Sequence, residues 1–275
     1  MSAFGFTKWD GKKFIGSTPT TSDILGPFYR PGAPLRSNII PTGSKGIPLN
    51  FSGIIFKDDG KTPLKNAMVE IWQCDEKEIY DNTSDDYRFR GAVKTGKNGH
   101  YEFKTIVPVP YKANPEKKDS WRPAHIHMRV SSDQQQDLIS QIYIQGDKYN
   151  ATDTYASSPE AVNRILNITK NAVNENELRF DVVMDKSFPL SEEAFKKIAG
   201  FYSGGTNNVE FIKNDDLLYI KRNGQMLEAV KYIGNNTFKG ARLMVIFELL
   251  PEGGAKMTIK NGEKIFLTGN RIMKY

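Results

Sequence analysis

From Leu49 the chain alternates between apolar and polar positions. Leu49, Phe51, Gly53 and Ile55 share one side of an extended segment, and Asp58-Asp59-Gly60 ends it in a turn. Met68–Trp72 reads as a second strand, residues 101–106 as a third, 125–130 as a fourth and 138–144 as a fifth. Ser158-Pro159 supplies the cap and first turn of a short helix, and Leu178, Phe180, Val182 and Met184 alternate again as a strand. Many short strands with turn signals between them predict a β-sandwich. Residues 1–47, rich in Pro, Gly, Ser and Thr, predict an irregular N-terminal arm that packs on that sandwich. A boundary falls near Ser187-Phe188-Pro189. Beyond it, residues 191–198 suggest one helix, followed by short strands with turns at Asn223-Gly224, Gly234-Asn235, Gly253-Gly254 and Asn261-Gly262. The expected division is therefore an arm over 1–47, a sandwich over 48–187, and a small antiparallel β-domain over 190–275, a barrel with one capping helix. The fold class is all-β.

Composition narrows the function. A chain of 275 residues can bury one large core or two modest ones, and no apolar run is long enough to span a bilayer. The first residues, MSAFGFTKWDGKKF, have no apolar signal-peptide core, which fits a cytoplasmic protein and equally an exported one whose leader has been removed. The lone cysteine, Cys74, forbids an intrachain disulfide; with no histidine beside it, it reads as structural or incidental. Of the net charge of +6, residues 186–275 carry +5, from 14 Lys and Arg against 9 Asp and Glu. No Lys/Arg run and no nucleic-acid motif accompanies this charge, so it reads as a solvated basic face rather than a nucleic-acid interface.

The chain has three histidines: His100, His125 and His127. His125-Ile126-His127 lies on a predicted strand, where residues i and i+2 share a face, so both imidazoles can reach one metal. The pair alone is as consistent with two chance histidines. Its surroundings add Trp121-Arg122-Pro123-Ala124 just before it, Val107-Pro108-Val109-Pro110-Tyr111 upstream, and Val69-Glu70-Ile71-Trp72-Gln73 leading to Tyr80. Each tyrosine taken singly reads as a core or surface aromatic.

These blocks resemble the intradiol ring-cleavage dioxygenases, which include catechol 1,2-dioxygenases and protocatechuate 3,4-dioxygenases. The matching text is GPFYRPGAP at 26–34, SGIIFKDDGKTPLKNAMVEIWQ at 52–73, Glu78-Ile79-Tyr80, Phe89-Arg90-Gly91, GHYEFKTIVPVPY at 99–111, WRPAHIH at 121–127, Ser140-Gln141-Ile142-Tyr143 and Gly146-Asp147. The resemblance covers roughly residues 17–185, in the family's order. It implies a non-haem Fe(III) cofactor held by Tyr80, Tyr111, His125 and His127, with a catechol and O2 as substrates. By the same resemblance Tyr111 is the axial tyrosine displaced by substrate, Arg122 and Gln141 lie over the substrate, and Tyr29 and Arg30 lie on the arm that walls the pocket. Arg30 and Lys112 are candidates to pair with a substrate carboxylate. The arm before residue 47 is too short and proline-rich to replace the helical N-terminal region that catechol 1,2-dioxygenases use in dimerisation. A homo-oligomer stays open. Residues 190–275 are no part of that enzyme; their pattern is similar to small lipocalin-like β-domains.

The chemistry agrees with the implied metal. Free tyrosine has a pKa near 10, so phenolate ligation at neutral pH asks for a hard, highly charged Lewis acid. Iron(III) meets that requirement better than zinc, whose sites favour His, Cys and carboxylate. Two alternatives to the enzyme stand: a sandwich binding module that retains a metal site but no chemistry, and a hydrolytic zinc site.

Overall fold

The computed structural model describes residues 8–9, 14–15 and 19–272, apart from 134, 189, 206 and 252. Most of the predicted arm before residue 19, and Pro189 at the predicted boundary, thus lie outside the described residues. The chain groups into two compact units. One holds the described residues up to Ser22 together with Arg30–Asp185; the other holds Asp23–Tyr29 together with the described residues from Lys186 onward.

The first unit is a sandwich of two sheets. One sheet runs in the order Ile165–Leu166, Gln135–Ile144, His125–Ser132, Met68–Trp72, Arg90–Lys94. The other runs Thr169–Lys170, Asn176–Arg179, Pro48–Phe56, Val182–Val183, with His100–Ile106 also paired to Pro48–Phe56. Strand alternation sets the division of labour. On His125–Ser132, the side chains of Ile126, Met128 and Val130 enter the core with Phe51, Phe103, Val69 and Ile71. His125, His127 and Arg129 therefore share the opposite face. A register slip of one residue would exchange the two sets, so burial of Ile126 and Met128 also fixes where the imidazoles point.

Two elements differ from the sequence reading. The alternation across Leu178–Met184 predicted one strand, but the chain forms two short ones, Asn176–Arg179 and Val182–Val183, both parallel to Pro48–Phe56. Between them the Phe180 carbonyl passes so close that a Cβ on Gly53 would meet it at 2.0 Å, and that carbonyl accepts from the Tyr101 hydroxyl at 2.6 Å. The Phe180 N–H still donates to Ser52, but its carbonyl is spent on Tyr101 and the Asp181 carboxylate accepts from Ile54 N–H instead, so the ladder breaks there. The second difference is Tyr111, which lies outside every strand the sequence pattern predicts. It lies in a two-residue strand, Tyr111–Lys112, paired with Trp121–Arg122. The helix after Ser158 is present as a 3₁₀ turn, Pro159–Arg164, capped by the Ser158 side chain accepting from the Glu160 N–H.

Residues 30–47 run along the sandwich. Arg36 N–H donates to the Ala92 carbonyl, Ala92 N–H to Pro34, Ile39 N–H to Lys104, and Lys104 N–H to Ser37. Their backbone polar groups are thereby satisfied without a sheet of their own.

The second unit is a closed antiparallel barrel of eight strands, from Gly200–Gly204 to Lys264–Ile272. Asn223 and Gly224 both take positive φ, 49° and 80°, as a tight type I′ hairpin requires. The helix Glu192–Ile198 is capped by Ser191, whose hydroxyl accepts from Ala194 N–H, and it buries Phe195 and Ile198. Aromatic rings fill the interior. Tyr202, Phe211, Phe247 and Phe238 meet in succession with centroids 5.4, 5.0 and 5.7 Å apart, near-perpendicular at each step. An eight-stranded barrel is just wide enough for side chains to fill, and here they do. Among the described residues no helix is long and apolar enough to cross a membrane.

Candidate metal centre

The two imidazoles of His125-Ile126-His127 face one another with their Nε2 atoms 3.1 Å apart. The Nδ1 of His125 lies 2.6 Å from the Pro123 carbonyl, a contact only an N–H can make favourably, so its proton is on Nδ1 and its Nε2 presents a lone pair. Tyr80 brings its hydroxyl to 3.4 Å from the same Nε2. Tyr111 stands edge-on to Tyr80, with centroids 5.1 Å apart, and tilted at 5.6 Å against His125. All four side chains are buried. The structure thus brings Tyr80, Tyr111, His125 and His127 to one point. His100 begins its strand exposed and takes no part.

Local structure explains each position. His127 is sandwiched in a cross-strand row, opposite Trp72 on one side and Gln141 on the other. The Trp72 indole stacks flat on its ring, 4.8 Å away at 8°. Tyr80 follows a tight turn in which the Asp75 carboxylate accepts from Lys77 and Ile79 N–H groups and Glu78 is left-handed, with φ at 69°. Two fixed points hold the loop beyond it: the Arg90 guanidinium donates to the Asp81 carbonyl at 2.8 Å and to Asn82 at 3.1 Å. Tyr111 faces Arg122 across the two-stranded ribbon, so both project from the same side of it.

Burial sets the electrostatics. It drives the His125 imidazole down to about 3, with the Arg122 charge adding to the effect. His127 is held well below the ordinary histidine range, first by burial and then by His125. Both rings are neutral and available as ligands. Burial also pushes the phenols of Tyr80 and Tyr111 upward, Tyr111 with partial relief from Arg122. A metal ion tests well against these features. Among the described residues the His127 Nδ1 is buried without a hydrogen-bond partner, and the Nε2 lone pair of His125 points at the His127 Nε2 beside two phenols. A cation among them would take a lone pair from each Nε2 and favour the phenolates. Two phenolates and two imidazoles make a donor set for a hard, trivalent ion rather than for zinc. Among the described residues no cluster of three or more His, Cys, Asp or Glu offers another site.

Arg122 and Gln141 lie together beside this centre. Arg122 Nη2 donates to Gln141 Oε1 at 3.0 Å, and the Tyr143 hydroxyl donates to the same oxygen at 3.1 Å. Arg122 Nε donates to Asp153 Oδ2 at 2.6 Å. Burial opposes the guanidinium charge, but Tyr143 and Asp153 outweigh it and hold the group protonated. The sequence reading assigned no part to Asp153, nor to Tyr143, Trp72 or Arg90. The last three stand inside the matched motifs; Asp153 stands outside them, in a turn whose geometry no local pattern announces.

The remaining candidates have partners of their own. Arg30 donates to the Ser84 carbonyl at 2.9 Å and stacks over Tyr87 at 4.1 Å, so its charge braces the loop after Tyr80. Lys112 alternates with Tyr111 on the ribbon and lies over Trp121 at 5.5 Å, on the face away from the histidines. Tyr29 belongs to the barrel unit, where it packs edge-on against Tyr219 at 5.6 Å. Cys74 is buried, with its thiol pushed up to about 12 by burial, which makes it unreactive.

A family model described as Dioxygenase matches residues 24–186. A chlorocatechol 1,2-dioxygenase of Rhodococcus opacus is 34% identical over 174 residues, covering 56% of this chain and 67% of that protein. A catechol 1,2-dioxygenase of Acinetobacter baylyi is 35% identical over 215 residues, covering 70% and 66%. The chain spans about half to two thirds of the length of the curated relatives it matches. Among solved structures, the dioxygenase domain of a dioxygenase–carbohydrate-binding fusion from Streptomyces sp. SirexAA-E aligns with a TM-score of 0.52 and 30% identity, over 62% of this chain and all of that one. Catechol 1,2-dioxygenase from Acinetobacter sp. ADP1, inhibited by bound mercury, aligns with a TM-score of 0.55 and 28% identity, over 62% and 63%.

Proposed function

The chain belongs to the intradiol ring-cleavage dioxygenases, and on that premise we propose that it opens a catechol with dioxygen, between the two hydroxyl-bearing carbons, to a cis,cis-muconate type of diacid. Tyr80, Tyr111, His125 and His127 would hold a non-haem ferric ion. The observation that carries this reading is the pair of buried Nε2 atoms 3.1 Å apart under the Tyr80 hydroxyl. When bound, the ferric ion supplies the Lewis acidity that makes phenolate and catecholate forms accessible at neutral pH and activates the ring toward dioxygen.

The protein's own groups do the rest. Tyr111 sits on a short ribbon after two prolines, and its Oη accepts one hydroxyl proton as the catechol arrives. By keeping that proton within the buried site, Tyr111 leaves the net charge there unchanged. Two of the three Arg122 nitrogens are engaged by Asp153, Gln141 and Tyr143; among the described residues Nη1 has no hydrogen-bond partner. This is the donor that stabilises negative charge developing on the ring. The relatives are named for catechol, chlorocatechol and hydroxyquinol, and the substrate proposed here is a catechol without a ring carboxylate. That choice rests on Arg30 and Lys112, whose charges are committed to Ser84, Tyr87 and Trp121.

The test is a visible absorption spectrum of the iron-loaded protein, before and after catechol is added without oxygen. Tyrosinate bound to iron(III) gives a strong charge-transfer band, and chelation of catechol moves it to longer wavelength. A colourless protein with full iron occupancy would remove the tyrosinate ligands and leave a sandwich binding module.

A further inference from the structure

The segment between the Gln135–Ile144 strand and the Pro159–Arg164 turn grips the Trp121–Arg122 strand from both sides. On one side, Tyr149 stacks on Trp121 with centroids 5.1 Å apart at 7°. On the other, Asp153 takes the Arg122 guanidinium side-on, Nε to Oδ2 at 2.6 Å and Nη2 to Oδ1 at 3.4 Å, and the Tyr155 ring lies 5.2 Å beneath it. Asp147 pins the next residues by accepting from Ala124 N–H at 2.8 Å. The segment is itself rigid. Asp153 Oδ1 accepts from Tyr155 N–H at 2.9 Å and Ala156 N–H at 2.8 Å, and Asp153 N–H donates to the Tyr149 carbonyl at 2.9 Å.

We propose that Asp153 is a positioning residue for ring cleavage. By holding Arg122 through Nε and Nη2, it fixes the direction in which Nη1 is presented to the substrate. This inference rests on the dioxygenase reading. Two side-chain oxygens divide the work. Oδ1 organises the turn through two backbone N–H groups, and Oδ2 makes the short contact to Arg122 Nε. A buried arginine without Asp153 would keep its charge but lose the contact that fixes its rotation about Cδ–Nε; Gln141 and Tyr143 reach only Nη2. A guanidinium is useful over a developing charge only while its fork is aimed, since small misplacements of a reacting partner are costly.

Asp153→Asn separates the two tasks. The asparagine Oδ1 still accepts from Tyr155 and Ala156, so the turn persists, while an NH2 group faces Arg122 Nε where the carboxylate oxygen was. The experiment is a double-mutant cycle of Asp153→Asn and Arg122→Gln on the iron-loaded full chain, reading kcat, KM and the anaerobic catechol-induced band. The expected result is a fall in kcat of about tenfold or more for Asp153→Asn, with catechol affinity changed less than about threefold. In the Arg122→Gln background the same substitution should cost less than about twofold, because its effect passes through Arg122. An equal loss in both backgrounds, or no loss in the parent, overturns the proposal. The exchange rate of the Arg122 Nε–H, followed by NMR on arginine-labelled protein, needs no turnover. It should rise at least about tenfold in Asp153→Asn, and an unchanged rate would equally overturn the clamp. Failure of the unmodified protein to cleave any catechol would refute the dioxygenase reading and with it the role in ring cleavage, while the exchange rate would separately show whether Asp153 clamps Arg122.

Discussion

Tyr111 has two tasks under the proposed chemistry, to bind the cation and to take up a substrate proton, and only its hydroxyl serves them. Tyr111→Phe keeps the ring that packs on Tyr80 and His125 and removes that oxygen. The expected outcome is a fall in kcat of roughly 100-fold or more, in line with loss of a general base. The visible band should weaken but persist through Tyr80; full activity in Tyr111→Phe would end the proton-transfer role. The candidate site was legible at this scale wherever a residue type is unusual for its setting. His125-Ile126-His127 puts two imidazoles on one strand face by period alone, and Tyr111 after paired prolines stands on a chain with little freedom to turn elsewhere. Asp153 was not legible because an aspartate in a turn is ordinary, and its contact with a guanidinium 31 positions away leaves no local pattern. Tyr29 and Arg30 were named from neighbouring letters of one motif, yet the first packs on Tyr219 and the second on Tyr87. Adjacent residues in an irregular arm need not share a destination.

Elements were read best where one face is buried. Met68–Trp72 was placed to the residue, and 125–130 and 138–144 fell within His125–Ser132 and Gln135–Ile144. Burial on one side leaves period-two alternation in the sequence. Where an element is only two residues long, as in Tyr111–Lys112, or is broken by a backbone crossing, as at Phe180, periodicity carries no signal. The barrel strand Gln225–Gly234 holds one group that breaks the pattern, Glu228, buried with its carboxylate on the Gly240-Ala241 backbone. A Cβ on Gly240 would stand 2.7 Å from Glu228 Oε1, so a larger residue there would have to displace the carboxyl. Burial, reinforced by Asp23, raises the carboxyl to about 8, against opposing contributions from the Ala241 N–H and Arg242. The folded-state value lies above the unfolded one. The group is therefore harmless below about pH 4.5, where both states hold the proton, and it destabilises the fold as pH climbs toward 8. Glu228→Gln keeps an acceptor for Ala241 N–H and removes the charge. Its melting temperature should match the parent near pH 5 and exceed it at pH 8, by several degrees for a difference on the order of a few kcal/mol. Equal melting at both pH values would mean that Glu228 ionises freely.

Each unit carries a large core of its own, and the two share no members. Phe51, Val69, Ile126 and their neighbours form one; Phe195, Tyr202, Phe238 and theirs form the other. All four proposed metal ligands belong to the unit with the first core. Each unit closes its own hydrogen-bond ladders, one as a sandwich and one as a barrel, so each has the means to unfold cooperatively by itself. Ligand binding stabilises only the state that holds the ligand, by an amount that grows with its concentration over its dissociation constant. Iron bound at Tyr80, Tyr111, His125 and His127 should therefore raise one calorimetric transition and leave the other in place. Glu228→Gln at pH 8 should do the reverse, moving only the transition that iron leaves alone. Two peaks answering separately to these two perturbations would assign each to its unit without cutting the chain. A single peak shifted by both would show that the two cores melt as one cooperative body.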